Sequence, residues 1–267
     1  FNDPHPDILY KYRDWEDSKH KRIITDLEIF FPSCKNLNDP FDCRIPIYVR
    51  NIGKNKQKIK ENVHNYIQTI YPNLTRKQRR EKEKQIYQEK NFSNRKLQEQ
   101  LQYNIIDRRF GIFSLSANPR DNKLWADYAG SHRGICIGFD IDTIIEYELN
   151  KMELNKEVTL LEIKKVNYVT KFPQWELVSQ DISLKQITTK SDKWINEEEY
   201  RLITIDKPNH CLKIPRKAIK ELIFGLKTSE KTKKEIIQEI KKNRLHIKLY
   251  DIVQVPNTFH LELKSTN

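Results

Sequence analysis

From Ile8 to Arg13 apolar and polar side chains alternate, the period of a strand with one buried face. Asp17 or Ser18 can then cap a helix running to about Asp26, and Ile29 to Phe31 predicts a second strand. Asn36 to Phe41 gathers Asn, Asn, Asp and Pro in close order, which is turn chemistry. Strand patterns return at Phe110–Ser116 and Gly134–Phe139, separated by a short helical stretch near Asn122–Ala129. Asp140 can cap a helix to about Asn150. Val158–Val169 reads as a strand, Trp175–Thr189 as a helix and Glu199–Thr204 as a strand. Ile219–Gly225, a Lys-rich helix over Ser229–Lys242 and Leu245–Val255 close the chain as strand, helix, strand.

Residues 54–109 follow another rhythm. Ile59, Val63, Tyr66, Ile67 and Ile70 fall at helical spacing, and Pro72 ends that run. Thr75 can cap a second helix through Ile86 and Tyr87, and a third starts near Ser93 with Leu97, Leu101 and Ile105 on one face. The pattern predicts one α+β domain across residues 1–267. It carries a split, mainly antiparallel sheet and is interrupted by a helical insertion at 54–109.

Charge sharpens this division. The 267 residues carry a formal net charge of +12, and the insertion alone holds nine Lys and six Arg against five Glu and one Asp. Three quarters of the excess therefore lies in one segment. Arg76, Lys77, Arg79, Arg80, Lys82 and Lys84 form its densest run, which reads either as a phosphate-contacting face or as a solvated helix surface.

Composition removes several classes. An aromatic content of 10% is too high for a disordered chain, and no apolar run is long enough to span a membrane. The six Gly form neither GxGxxG nor GxxxxGK[ST]. Cys34, Cys43, Cys136 and Cys211 show no zinc-finger spacing, so they are expected to be small buried hydrophobes in a reducing cytoplasm, with no metal site.

Four constellations could carry chemistry. Arg13, beside Tyr12 on the first strand, can grip a phosphate or carboxylate, or simply pair with Asp14 or Asp17. Asn38-Asp39-Pro40-Phe41-Asp42 is either an Asx turn or a loop bringing a carboxylate or Phe41 to a pocket. Ser114 and Ser116 share a strand face, and Trp125, Tyr128 and His132 cluster around one helix, as core packing or as the wall for a planar ring. Glu197 and Glu199 would lie on one face if their strand starts there, with Arg201 near enough to neutralise one of them.

These segments resemble a family. Leu9–Arg13, Leu37–Asp42, Leu124–Ala129 with His132-Arg133-Gly134, and Trp194 with Glu197–Arg201 are similar, in order, to a bacterial domain of unknown function, family 2971. The resemblance covers most of the chain outside the insertion and implies a cytoplasmic bacterial protein of the antiphage-defence or toxin type. More distantly, Arg13, Ser114-Leu115-Ser116 and Glu197-Glu198-Glu199 resemble ADP-ribosyltransferases of the Arg–Ser–Glu type. That likeness implies an ADP-ribosyltransferase-like fold and NAD as the molecule bound. Arg13 would hold the NAD phosphates, Ser114 would steady the nicotinamide side, Glu199 would be catalytic and Glu197 would position the acceptor. Tyr128 or Phe41 would stack on nicotinamide.

Three functions follow as expectations: an NAD-consuming enzyme whose insertion docks nucleic acid; a metal-dependent nuclease using Asp39, Asp42, Glu197 and Glu199; or a binding module for nucleic acid or protein. The apolar helical faces of the insertion also offer an interface for a second copy.

Overall fold

In a computed structural model the protein is described over residues 2–46, 71–88, 95–154, 156–173 and 182–266, with single positions between 57 and 68. In chain order the elements are β1 (Leu9–Arg13), α1 (Ser18–Thr25), β2 (Glu28–Phe31), α2 (Arg76–Gln88), α3 (Arg95–Arg109) and β3 (Phe110–Ser116). Next come α4 (Asn122–Tyr128), β4 (Ile135–Phe139), α5 (Ile141–Glu153), β5 (Leu161–Lys165), β6 (Asn167–Val169), α6 (Ile182–Ile187) and β7 (Thr189–Ser191). The last are β8 (Glu199–Ile205), β9 (His210–Lys213), β10 (Ile219–Phe224), α7 (Glu230–Lys242), β11 (Lys248–Gln254) and β12 (Leu261–Ser265).

Eight strands form one sheet in the order β12-β11-β10-β4-β1-β3-β8-β5. Every pairing is antiparallel except β10 with β11, which α7 joins as a crossover. The fold is thus mixed, with helices around a large, mostly antiparallel sheet. β1 pairs with β4 along its whole length, and β3 with β8 along theirs, but β1 and β3 share only Tyr10 with Ser116. The sheet is loosest at this seam. Two two-stranded sheets, β2 with β9 and β6 with β7, flank it.

Alternation decides which side each residue faces. Leu9, Phe113, Leu115, Ile137, Phe139, Leu202, Leu222 and Phe224 pack on one face against Ile23 and Ile24 of α1 and Ile236 and Ile240 of α7. Tyr12, Cys136, Ile223, Ile252 and Leu261 pack on the other, under Leu124 and Trp125 of α4. Caps stand where polar residues allowed them: Asp17 accepts from Lys19 N before α1, and Asp121 from Leu124 N before α4.

Several elements differ from the sequence pattern. Val158–Val169 is two strands, β5 and β6, because they pair with different partners. Of the helix expected over Trp175–Thr189, residues 182–187 are helical, Thr189 opens β7, and Trp175 lies outside the described residues. The short strands β9 and β12 carry weak apolar signals and owe their conformation to their partners β2 and β11. In the insertion, Val63, Ile67, Ile86 and Ile105 pack together. Ile59, Tyr66 and Ile70, and the side chains of Tyr87, Leu97 and Leu101, lie outside the described residues. Cys34, Cys43 and Cys136 are buried free thiols as expected, whereas Cys211 is exposed. No helix among the described residues is long and apolar enough to cross a membrane.

Candidate functional site

A cleft of about 400 Å³ opens at the β1–β3 seam. Tyr10, Lys11, Tyr12 and Arg13 line it from β1, Ser114, Leu115 and Ser116 from β3, and Glu199 from the start of β8. Asn38 and Asp42 reach it from the loop after β2, Tyr128 from α4, Lys190 from β7 and Glu197 from the turn before β8.

One wall is a buried ion network. Arg201 is fully buried; its Nη2 donates to Asp42 Oδ2 (2.6 Å) and Glu199 Oε2 (3.0 Å), and its Nε to Glu199 Oε1 (2.9 Å). Lys190 Nζ donates to Glu197 Oε2 (2.5 Å) and Glu199 Oε2 (3.1 Å) and lies 3.9 Å from Asp42 Oδ2. Burial alone would raise the Glu199 carboxyl, but Arg201 and Lys190 outweigh it, with help from the Ser114 hydroxyl, and hold it at about 2. Burial would likewise discharge Lys190 and Arg201, yet the surrounding carboxylates raise both above their ordinary values.

Glu197 differs from Glu199. Its Oε1 accepts from the Tyr128 hydroxyl at 2.9 Å, and that hydroxyl accepts from Asn38 Nδ2 at 2.9 Å. Burial first, then the neighbouring Glu197 charge, raises the Tyr128 hydroxyl pKa. The two carboxylates do not alternate along a strand as expected. Glu197 ends a 3-10 turn (Asp192–Glu197), and Glu198 sits in the left-handed region (φ 43°), so the chain turns between them. Lys190 joins them instead.

The opposite wall carries cations without such partners. Arg13 Nε is buried with no hydrogen-bond partner, and its guanidinium makes no ion pair among the described residues. Asp14 and Asp17, its expected partners, spend carboxylate oxygens on backbone N–H groups. Burial lowers the Arg13 pKa to about 10. Lys11 Nζ donates to Ser114 O at 2.5 Å across the seam and lies 5.0 Å from the Phe113 ring centre. Burial, then the adjacent Arg13 charge, drives its pKa well down.

The other expected site residues are dispersed. Trp125 is a core residue, edge-on to Tyr12 at 5.2 Å, with Nε1 bonded to Pro119 O. His132 stacks on the Trp125 ring at 6.2 Å and does not line the cleft. Phe41 is 68% exposed and borders a separate small pocket with Phe172. Ser116 closes a local turn, its Oγ accepting from Asn118 N at 3.0 Å. Asp39 is taken up by Phe41 N and Trp194 Nε1. The carboxylates assigned to a metal nuclease therefore converge on Lys190 and Arg201, or turn away, and among the described residues no group of three His, Cys, Asp or Glu could hold a metal ion.

Sequence reasoning missed Lys11, Lys190 and the joint role of Asp42 with Arg201. Lys190 sits in the polar run Thr188–Lys193, where nothing local marks it as buried. The apolar–polar alternation did place Lys11 on the face of Leu9, and a charge on an apolar face was the signal available.

Residues 124–202 match the family model described as Protein of unknown function (DUF2971). This is under a third of the chain and less than the resemblance implied. It spans α4 to β8, taking in Tyr128, Lys190, Glu197, Glu199 and Arg201, and leaves out β1 and the Asn38–Asp42 loop. No curated protein and no solved structure matches the chain.

Proposed function

We propose that the cleft binds NAD and breaks its nicotinamide–ribose bond, as an ADP-ribosyltransferase-like enzyme or NAD glycohydrolase. The observation that carries this reading is the meeting of Arg13, Ser114 and Glu199, from three adjacent strands, with Glu197 from the turn before β8, in one cleft at the seam of the sheet. The cleft volume falls in the range of small-molecule sites.

The two walls suit the two ends of the reaction. Arg13 offers positive charge to the pyrophosphate, and Lys11 a second donor beside it. Cleavage of the C1′–N bond sends its electron pair to nicotinamide and leaves cationic character on the ribose. A carboxylate fixed beforehand beside the ribose stabilises that charge without reorganising. Glu197 fits this role better than Glu199, because Glu199 is held by two cations, Arg201 on both of its oxygens and Lys190, whereas Glu197 has one cation, Lys190, and the Tyr128 hydroxyl. Glu199 then acts as a positioning residue. Tyr128 orients Glu197 and can stack on the nicotinamide. The acceptor oxygen, from water or a nucleophile, bonds to C1′ and its proton passes to Glu197 and then to solvent.

Chromatographic assay of nicotinamide from NAD, with and without oligonucleotide acceptors, tests the reading. Release by wild type and its loss in Glu197→Gln are expected. No release under any condition, or full release by Glu197→Gln, would overturn it.

A further inference from the structure

The basic insertion is not used by the cleft chemistry, and its helix α2 is built differently from the other Lys-rich helix, α7. In α7 the charges obey the helix dipole: Glu230 lies in the first turn, and Lys241 and Lys242 in the last. Two of its five lysines are also answered. Lys233 pairs with Asp251 and Glu230, and Lys242 with Glu239. In α2 the first turn holds Arg76 and Lys77 and no acid, the arrangement the dipole disfavours. These charges do not serve the helix.

The six cations singled out in the sequence divide into two groups. Arg79 donates to Pro72 O at 2.8 Å, and Lys82 Nζ lies 5.6 Å from the Tyr71 ring centre. With Ile86 packed on Val63 and Ile67, and Glu83 bonded to His64, they fix the rotation of the helix. Arg76, Lys77, Arg80 and Lys84 fall in the remaining sector of about 100°. All four are exposed, and none makes an ion pair among the described residues. Arg76, Arg80 and Lys84 rise by about 6 Å per step, so three cations track about 12 Å. That length faces three or four phosphates of a strand whose charges repeat every ~3.4 Å along the axis.

We infer that Arg76, Lys77, Arg80 and Lys84 form a sequence-independent docking site for a nucleic-acid backbone. The apolar side of α2 is spent on the insertion's own core, so nothing remains to enter a lipid layer, and an extended polyanion is the occupant that fits. The inference does not depend on the NAD reading.

Fluorescence anisotropy with a labelled 20-nucleotide single-stranded RNA, and with DNA of the same sequence, measures this directly. Four released counterions predict a log–log salt slope of about −2.8, or roughly a 50-fold loss of affinity from 50 to 200 mM salt. Arg76→Gln, Lys77→Gln, Arg80→Gln and Lys84→Gln combined should abolish the slope, and Arg76→Gln with Arg80→Gln should halve it. A charge-matched control in α7, with Lys231, Lys234, Lys241 and Lys242 changed to Gln, should bind within about twofold of wild type. RNA binding over DNA, or the reverse, would name the preferred source. Equal loss in the α7 control, an unchanged slope in the α2 variants, or binding to anionic phospholipid vesicles without either oligonucleotide would overturn the inference.

Discussion

The buried Asp42, Glu197 and Glu199 on one side of the cleft, and the partly buried Lys11 and Arg13 on the other, are charges held in opposite ways. The carboxylates converge on Lys190 and Arg201, and each accepts at least one short hydrogen bond from them. Arg13 has its Nε buried and no partner for it, while Lys11 has one carbonyl and an aromatic ring. An answered buried charge costs little further and mainly fixes geometry; an unanswered one carries a desolvation penalty that a ligand can relieve. The difference separates scaffold from binding surface within a single cleft.

Breaking the answered wall should cost most. Arg201→Met leaves Asp42 and Glu199 facing only Lys190, and a loss of about 3–5 kcal/mol is expected in urea unfolding. A loss under 1 kcal/mol would show that the network does not hold the fold. Glu197→Gln keeps the shape of the wall and removes the charge beside the ribose. It should lower nicotinamide release by roughly 10²–10³-fold, with NAD affinity nearly unchanged.

Arg13→Gln acts on the other wall. Stability should stay level or rise, because a partly buried cation with an unpartnered Nε is removed, while NAD affinity falls by about 10- to 100-fold. Unfolding curves and binding isotherms on the same preparation separate the two effects.

The adjacency behind these predictions was only partly legible in the sequence. Alternation around Arg13 and Ser114 marked β1 and β3 as strands, and Glu199 fell where β8 begins. Their order in the sheet, with β1 from the start of the chain beside β3 and β8, is set by long-range pairing that local pattern does not record. The same holds for the single shared position of β1 and β3, which makes the seam. Phe41, Trp125 and His132 misled because aromatic residues near motifs pack as readily into cores and loop rims as into sites. Glu198 misled because nothing in three consecutive Glu announces a left-handed residue between two carboxylates.

The pH responses sharpen the contrast further. The Glu199 carboxyl, lowered to about 2, lies below its unfolded value. Between these values the unfolded chain binds more protons, so this contribution is complete above about pH 4.5 and fades as the pH falls towards 2. Glu199→Gln should flatten acid unfolding in that window. Arg13 runs the other way: burial disfavours its charge, yet a guanidinium stays protonated across the accessible pH range. Its neighbours are Lys11 and His20, whose pKa values are also lowered, and Asp17. Arg13→Gln should therefore lower NAD affinity to the same degree at every pH.

The smallest effect is expected of Ser114→Ala, which takes one hydrogen bond from Glu199 and should cost about 1 kcal/mol with activity retained. A large loss of activity with normal stability would move Ser114 from the scaffold to the ligand.

Calorimetric titration of NAD into wild type and Arg13→Gln tests most directly whether the unanswered cations are the binding surface. Saturable binding by wild type, weakened about 10- to 100-fold by the substitution, is the predicted result. No binding by wild type, or equal binding by both, would contradict it.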